Sequence, residues 1–456
     1  MAIASKRGGI GGGWKQLLPE VPATRFSCIT SGSFRPKLGL CILCVVLIIA
    51  LCLVLVPLIT DTESDPSPAV KMASTGIVHE ESVKAVVKSN TGFTQKLYSL
   101  LVASKGEHEN MVASPFSISA VMAMAYAGAK GNTAGQMKSS LAFPESSALQ
   151  EGYEDLFRLL KSNENFTLES ANRVFVHENY KFLESYLTLV QKHYYAEPQE
   201  LNFGETEKSR EVINKWVEEK TKEKIKDLLP SGSIKPLTRM VLVNAVYFKG
   251  DWKKKFDKAN TKKEQFTTHK GEKLDVDMMH QTSEFSGAQN KDLGCLILEL
   301  PYKGDRLSML VFLSRKPEDF DVMETKFGSF DFSTLKMSGA VKFDLAFPKF
   351  KLESKHDLVD NLKKIGLEDM FIEGKADFSG MDGTRNLYAS SVVQKAFIEV
   401  NEEGSEAAAA TGMVMMMRSM PAPPQKFTCD RPFLFAIKDN LTGMVLFTGR
   451  VTDPSK

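Results

Sequence analysis

Residues 38–59, LGLCILCVVLIIALCLVLVPLI, run for 22 positions without a charged side chain. No other feature limits the chain's options so strongly. A helix of that length rises about 33 Å, close to the roughly 30 Å hydrocarbon core of a bilayer. Lys37 borders the run upstream, and Asp61 and Glu63 follow it. Residues 1–37 hold Lys6, Arg7, Lys15, Arg25, Arg35 and Lys37 against the single acid Glu20. Retention of positive charge on the cytoplasmic side therefore predicts a signal anchor, with the N-terminus cytoplasmic and the body extracellular or lumenal. The alternatives are a cleaved signal on a secreted protein, or a cytoplasmic protein whose leader is unused. A signal peptide carries a shorter apolar core and a small-residue cleavage site, and neither is evident. The expected divisions are a basic tail (1–37), a transmembrane anchor (38–59), a stalk (60–79) with Pro66 and Pro68, and a globular body (80–456).

The 58 basic and 56 acidic residues divide six to one in the tail and 52 to 55 beyond it. A slightly acidic body does not bind nucleic acid through bulk charge, so no such partner is expected. Cys28, Cys41, Cys44 and Cys52 fall in the leader, leaving Cys295 and Cys429 for the body. These two read as buried thiols rather than a disulfide framework. No Cys/His spacing suggests zinc, so neither metal nor cofactor is expected. Seven histidines (79, 108, 177, 193, 269, 280, 356) sit in mostly polar surroundings. With no HExxH, GxSxG, Walker or GxGxxG motif, nothing points to an enzyme.

From Glu80 onward, Val83, Val87, Phe93, Leu97 and Leu101 recur at helical spacing. Pro115 opens a second helix over 116–127, closed by Gly128 and Gly131. A third spans 207–229, with Val212, Ile213, Trp216, Val217, Ile225 and Leu228 on one face and Pro230 as its stop. The period then changes to strands at 241–248, 295–300, 307–313, 341–347, 433–437 and 444–447, several apolar on both faces. Turns at Lys303-Gly304-Asp305 and at 440–443 close hairpins. Early helices and late strands in one body predict an α+β fold.

Residues 402–424, EEGSEAAAATGMVMMMRSMPAPP, stand apart. The composition alone suits an Ala-rich helix or a linker. As a strand, however, one face would carry Ser405, Ala407, Ala409, Thr411, Met413 and Met415, all small or apolar. Glu406 falls on the other face, with Ala408, Ala410, Gly412, Val414 and Met416. Such a segment can sit as an exposed loop and later enter a protein interior without burying an ion.

Six stretches carry a family resemblance: SPFSISAVMAMAYAGAKGNT (114–133), LVNAVYFKGDW (242–252), FPKF (347–350), VNEEGSEAAAAT (400–411), FTCDRPFLFAI (427–437) and LFTGRV (446–451). Together they resemble the serpin family, in the ovalbumin-type branch that includes the leukocyte elastase inhibitor. The resemblance runs from about residue 90 to 454. It implies helices packed around three β-sheets, an exposed reactive-centre loop, and suicide-substrate inhibition of proteases. The hinge would be Glu402, Glu403, Gly404, Ser405, Glu406, Ala407, Ala408, Ala409, Ala410 and Thr411. Counting Glu402 as the first of the family's seventeen positions places the reactive bond between Arg418 and Ser419. An Arg there implies a trypsin-like serine protease, captured as a covalent acyl complex by a monomer. Lys426 is a weaker cleavage point. Ser114, Ser117 and Asn244 match a hydrogen-bonded cluster that lets the sheet open, where Gln394 replaces the family's histidine. Trp252 and Lys349 match the place where the loop first enters, with Lys349 paired to Glu402.

Lys220, Lys222, Lys224 and Lys226 alternate with acids, which suits a solvated face and not a glycosaminoglycan site. Asn165 and Asn440 head glycosylation sequons, relevant if the body faces the lumen or outside. Two other functions fit the same resemblance: a non-inhibitory binding or chaperone-like module, and an inhibitor of a cysteine protease.

Overall fold

The computed structural model describes residues 76–104, 108–403 and 423–456. Every described residue lies in one compact unit. The basic tail and the expected span at 38–59 lie outside the described residues. Among the described residues no helix is long and apolar enough to cross a membrane.

In chain order the elements are α1 (Glu80–Ser104), β1 (Met111–Ala113), α2 (Pro115–Gly128), α3 (Gly131–Ser140), α4 (Ser146–Leu159), β2 (Phe166–His177), α5 (Glu184–Tyr194), β3 (Gln199–Leu201) and α6 (Thr206–Lys220). There follow β4 (Met240–Gly250), β5 (Lys262–Thr267), β6 (Lys273–Asn290), β7 (Cys295–Pro301), β8 (Leu307–Ser314), α7 (Phe320–Phe327), β9 (Val341–Pro348) and β10 (Phe350–Asp357). The last are α8 (Val359–Lys364), α9 (Ser379–Asp382), β11 (Ala389–Val400), β12 (Gln425–Thr428), β13 (Phe433–Asp439) and β14 (Val445–Val451). The α+β class and the central strands stand as expected from the sequence.

A five-stranded sheet has the order β10-β11-β4-β2-β3. Its centre is β4, whose residues Met240 to Phe248 are all buried because both faces are covered. Val241, Val243 and Ala245 face a small core with Ile213 and Val217 of α6, whereas Met240, Leu242, Val246 and Phe248 face the main core. On that second side α2 packs against β2, β4 and β14. A helix so placed must be apolar all round, and α2 is buried from Pro115 to Ala125.

The larger sheet runs β1-β14-β13-β8-β7-β6-β9-β12, with β5 also on β6. The three expected sheets are present among the described strands, two of them merged into this one hydrogen-bonded network. The cause is β6, an 18-residue strand. Its first part pairs with β9 as far as Phe285, and its last residues, from Ser286, pair with β7. One strand thereby joins what would be two sheets.

The helix expected over 207–229 stops at Lys220. Lys222 and Glu223 adopt left-handed backbone, φ 52° and 60°. Asn214 then folds the chain back, accepting from Leu229 N and donating to Leu229 O, both at 2.9 Å. Ile225 and Leu228 are buried all the same, so helical spacing persisted without a helix. Of the lysines there, Lys222 pairs with Glu169 and Lys226 with Glu218, each at 2.8 Å. Cys295 and Cys429 are free and buried. Burial pushes the Cys295 thiol up to about 12 and the Cys429 thiol well above its ordinary value.

Candidate functional site

Gly404, Ser405, Glu406, Ala407, Ala408, Ala409, Ala410, Thr411, Arg418 and Ser419 lie outside the described residues. Both roots of the segment are described. Strands β11 and β4 are parallel neighbours, so their C-terminal ends meet at one edge of the sheet. Chain leaving β4 at Gly250 therefore meets chain leaving β11 at Val400. Trp252 Nε1 donates to Asn401 O at 2.8 Å, and Trp252 N donates to Glu403 O at 3.0 Å. Phe256 N donates to Glu402 O at 3.2 Å. The indole is 3% exposed and stacks on Tyr302, centroids 4.6 Å apart.

Register places the charges too. Phe350 pairs with Val400 across the antiparallel β10–β11 seam, which sets Lys349 beside the residues just past β11. Its Nζ is 3.0 Å from Glu402 Oε2, and Thr261 Oγ1 donates to the other oxygen at 2.8 Å. Burial opposes ionisation of Glu402, but hydrogen bonds from its own backbone, Lys349 and Thr261 prevail and hold the carboxyl below its ordinary range. Glu403 is lowered chiefly by its hydrogen bond from Lys249. The downstream root is β12, which pairs in parallel with β9 at the edge of the larger sheet. Pro423 and Pro424 precede it.

Beneath the sheet lies a buried polar cluster. Parity puts Asn244, Gln394, Ser170 and Asn172 on the face that meets α2. Asn244 and Gln394 are register partners, and Gln394 Nε2 donates to Asn244 Oδ1 at 2.5 Å. Gln394 also donates to Ser114 O at 3.1 Å and accepts from Ser114 N at 3.0 Å. Ser114 caps α2, accepting from Ser117 N at 3.2 Å, with Pro115 in the first turn. Its hydroxyl donates to Leu446 O of β14 at 2.7 Å. Asn244 Nδ2 donates to Ser117 Oγ and Asn172 Oδ1, and Ser117 Oγ lies 2.9 Å from Ser170 Oγ. The four sequence candidates are thus in one network, together with Ser170 and Asn172, which sequence reasoning missed. The signal for both was the alternation of β2, which instead reads as a half-solvated strand.

One histidine departs from the expected polar surroundings. In β10 burial alternates residue by residue, so His356 points inward and is 4% exposed. Its Nε2 donates to Val112 O at 2.9 Å, and its backbone partner across the β10–β11 seam is Gln394. A buried imidazole therefore sits one strand away from the position where the family's histidine was expected.

Of the sequon residues, Asn165 is half-buried and Asn440 exposed. The Asn440 amide already donates to Asp305 O at 3.0 Å and Ser308 Oγ at 2.7 Å. It braces the β7–β8 hairpin, whose turn holds Gly304 and Asp305 at positive φ.

Sequence comparison finds Serpin B6 of Macaca fascicularis 42% identical over 377 residues, 81% of this chain and 99% of that protein. The human leukocyte elastase inhibitor is 37% identical over 378 residues, 80% of this chain and 98% of that protein. Among solved structures, uncleaved ovalbumin superposes with a TM-score of 0.74 at 30% identity, covering 81% of this chain and all of its own. These relatives are matched nearly end to end by about four-fifths of this chain, so its leader has no counterpart in them. That corrects the expectation of a membrane-anchored protein with its body outside, which rested on residues 38–59 and the charges that flank them. The family model for serpins (serine protease inhibitors) matches residues 88–454, and the chain belongs to that family.

Proposed function

We propose that this serpin is a suicide-substrate inhibitor of trypsin-like serine proteases, cleaved between Arg418 and Ser419. One observation carries the reading. The two central strands β11 and β4 run parallel, and the bait segment leaves β11 directly. A strand folding back from Val400 would lie between them, antiparallel to both. One parallel seam is thereby exchanged for two antiparallel ones, the slightly stronger pairing.

In the proposed reaction the protease's serine Oγ adds to the carbonyl carbon of Arg418. Its proton passes through the protease's histidine to the Ser419 nitrogen as the Arg418–Ser419 C–N bond breaks. Arg418 is left ester-linked to the protease. Residues 405–417 then enter the seam, gaining strand hydrogen bonds at a net ~0.5–1.5 kcal/mol each. Their sum is comparable with the roughly 5–15 kcal/mol that holds a domain folded, enough to distort a tethered protease before water cleaves the ester. Ser114, Ser117, Asn244 and Gln394 would govern how readily the seam parts. Trp252 and Lys349 would hold the root from which the strand enters. Gln394 can donate and accept but not titrate, which removes one source of pH control from the opening.

The test mixes the full chain with trypsin and resolves the products on a denaturing gel. A boiling-resistant band near the summed mass, absent for Arg418→Ala, supports the reading. Clean clipping after Arg418 with trypsin left active overturns it in favour of a non-inhibitory binding module.

A further inference from the structure

Two imidazoles and a carboxylate that the proposed inhibition does not use meet where three separate segments converge. His108 lies between α1 and β1, His269 in the turn between β5 and β6, and Asp321 in the first turn of α7. The rings of His108 and His269 stack, with centroids 3.2 Å apart and planes 15° from parallel. His108 Nδ1 is 3.6 Å from one Asp321 oxygen, and His269 Nε2 is 3.7 Å from the other. Neither distance is a hydrogen bond. His108 Nδ1 is buried and makes none.

The backbone fixes this arrangement from each side. His108 is held at φ 64°, rare for a side-chain-bearing residue, and its carbonyl accepts from Thr452 Oγ1 at 2.5 Å. The His269 turn is closed by Thr268 N to Glu272 O at 2.8 Å and Gly271 N to Thr268 O at 2.9 Å. Next along α7, Glu324 is paired with Arg450 at 2.9 Å, whereas the Asp321 carboxylate faces the two rings.

One ligand atom from each of the three residues lies within 4.8 Å of the other two. Donors around a tetrahedral zinc at ~2.0–2.1 Å are about 3.4 Å apart, so closure needs a side-chain movement of about 1.4 Å. Two imidazoles with one carboxylate suit a borderline transition ion, whereas calcium and magnesium take oxygen sets. We propose that His108, His269 and Asp321 bind a divalent transition ion of the Zn²⁺ class, with water completing four-coordination. The ion clips the α1–β1 connection, the β5–β6 turn and α7 together. Its effect reaches the downstream root of the bait segment, because Thr267 N at the end of β5 donates to Asp430 O, two residues past β12, at 2.8 Å.

The test strips the full chain with a chelator and titrates it with ZnCl₂ by calorimetry, with Co²⁺ as a spectroscopic probe. The expected result is one bound equivalent, a higher melting temperature, and the strong visible bands of four-coordinate cobalt. His269→Ala and Asp321→Asn, both at accessible positions, should weaken Zn²⁺ binding at least about tenfold, the smallest effect that even the outer partners of metal ligands show. His280→Ala, whose imidazole lies 3.0 Å from Glu264, should bind as wild type does. If Asp321→Asn fails to fold, His269→Ala decides. No uptake by the wild type, or a His269→Ala titration that superimposes on it, overturns the proposal.

Discussion

Strand β4 holds its two neighbours differently. Against β2 it pairs antiparallel and without a break, from Phe166 opposite Gly250 to Val176 opposite Met240. Against β11 it pairs parallel, with an irregularity between Ala389 and Ser391. The buried links are more evenly divided: Asn244 bonds Asn172 on the β2 side and Gln394 on the β11 side, while α2 reaches β2 through Ser117 and β11 through Ser114. A sheet that is to admit another strand needs one seam cheaper to part than the rest, and here the parallel, irregular pairing marks the β11 seam.

Changing what would enter that seam should have the largest effect. If residues 405–417 insert with Ala409 facing the core, Ala409→Arg buries an unpaired charge, a cost of several kcal/mol. The expected outcome is normal cleavage by trypsin with the gel-stable complex almost abolished. Ala408→Arg, on the opposite face, should retain most of it. Equal behaviour of the two would show that the parity is wrong.

A smaller effect is expected from Asn244→Ala, which orphans groups on both seams at about 1–3 kcal/mol each. Urea unfolding should show the loss, and Ser170→Ala, which touches only the β2 side, should show less. Matching midpoints for the two variants would remove the distinction between the seams.

The smallest effect concerns the root. The Glu402 and Glu403 carboxyls lie below their ordinary values. Their contribution is therefore complete above the unfolded carboxylate pKa of about 4.3 and is lost as pH falls through the lower folded values. Because Lys349 is half-exposed, the Glu402 pair is worth about 1 kcal/mol or less. Exchange of the Trp252 indole proton should accelerate in acid and, at neutral pH, in Glu402→Gln. Exchange unaffected by pH and by that variant would dissociate the charges from the root.

Much of this was legible in the sequence because it depends on short periods. The α1 stripe, the apolar runs of β4 and β8, and the hairpin turn at Gly304 all follow from local spacing. The Lys349–Glu402 contact was legible through the family motifs. What escaped depends on pairing between distant residues. The polar residues of β2 look solvated until α2 covers them, and those of β6 hide a strand that serves two halves of a sheet. Helical spacing overran the end of α6 because Ile225 and Leu228 are buried without being helical. The His108, His269 and Asp321 cluster has no sequence spacing at all. Residues 38–59 misled for the opposite reason, since a strong local signal was read as a location for the whole chain.

The pairing of Gln394 with Asn244 joins residues 150 positions apart, and the Ser114–Gln394 bonds span 280. During folding, contacts between such remote residues bear the largest loop-closure entropy and form late. The hairpins β7–β8 and β13–β14, by contrast, close over a few residues. The central seam of the smaller sheet is therefore among the last parts of the body to assemble. A newly made chain would carry its bait segment beside a gap before that gap is shut. For the bait segment to be left outside the sheet, β11 must reach β4 before the segment that follows it does.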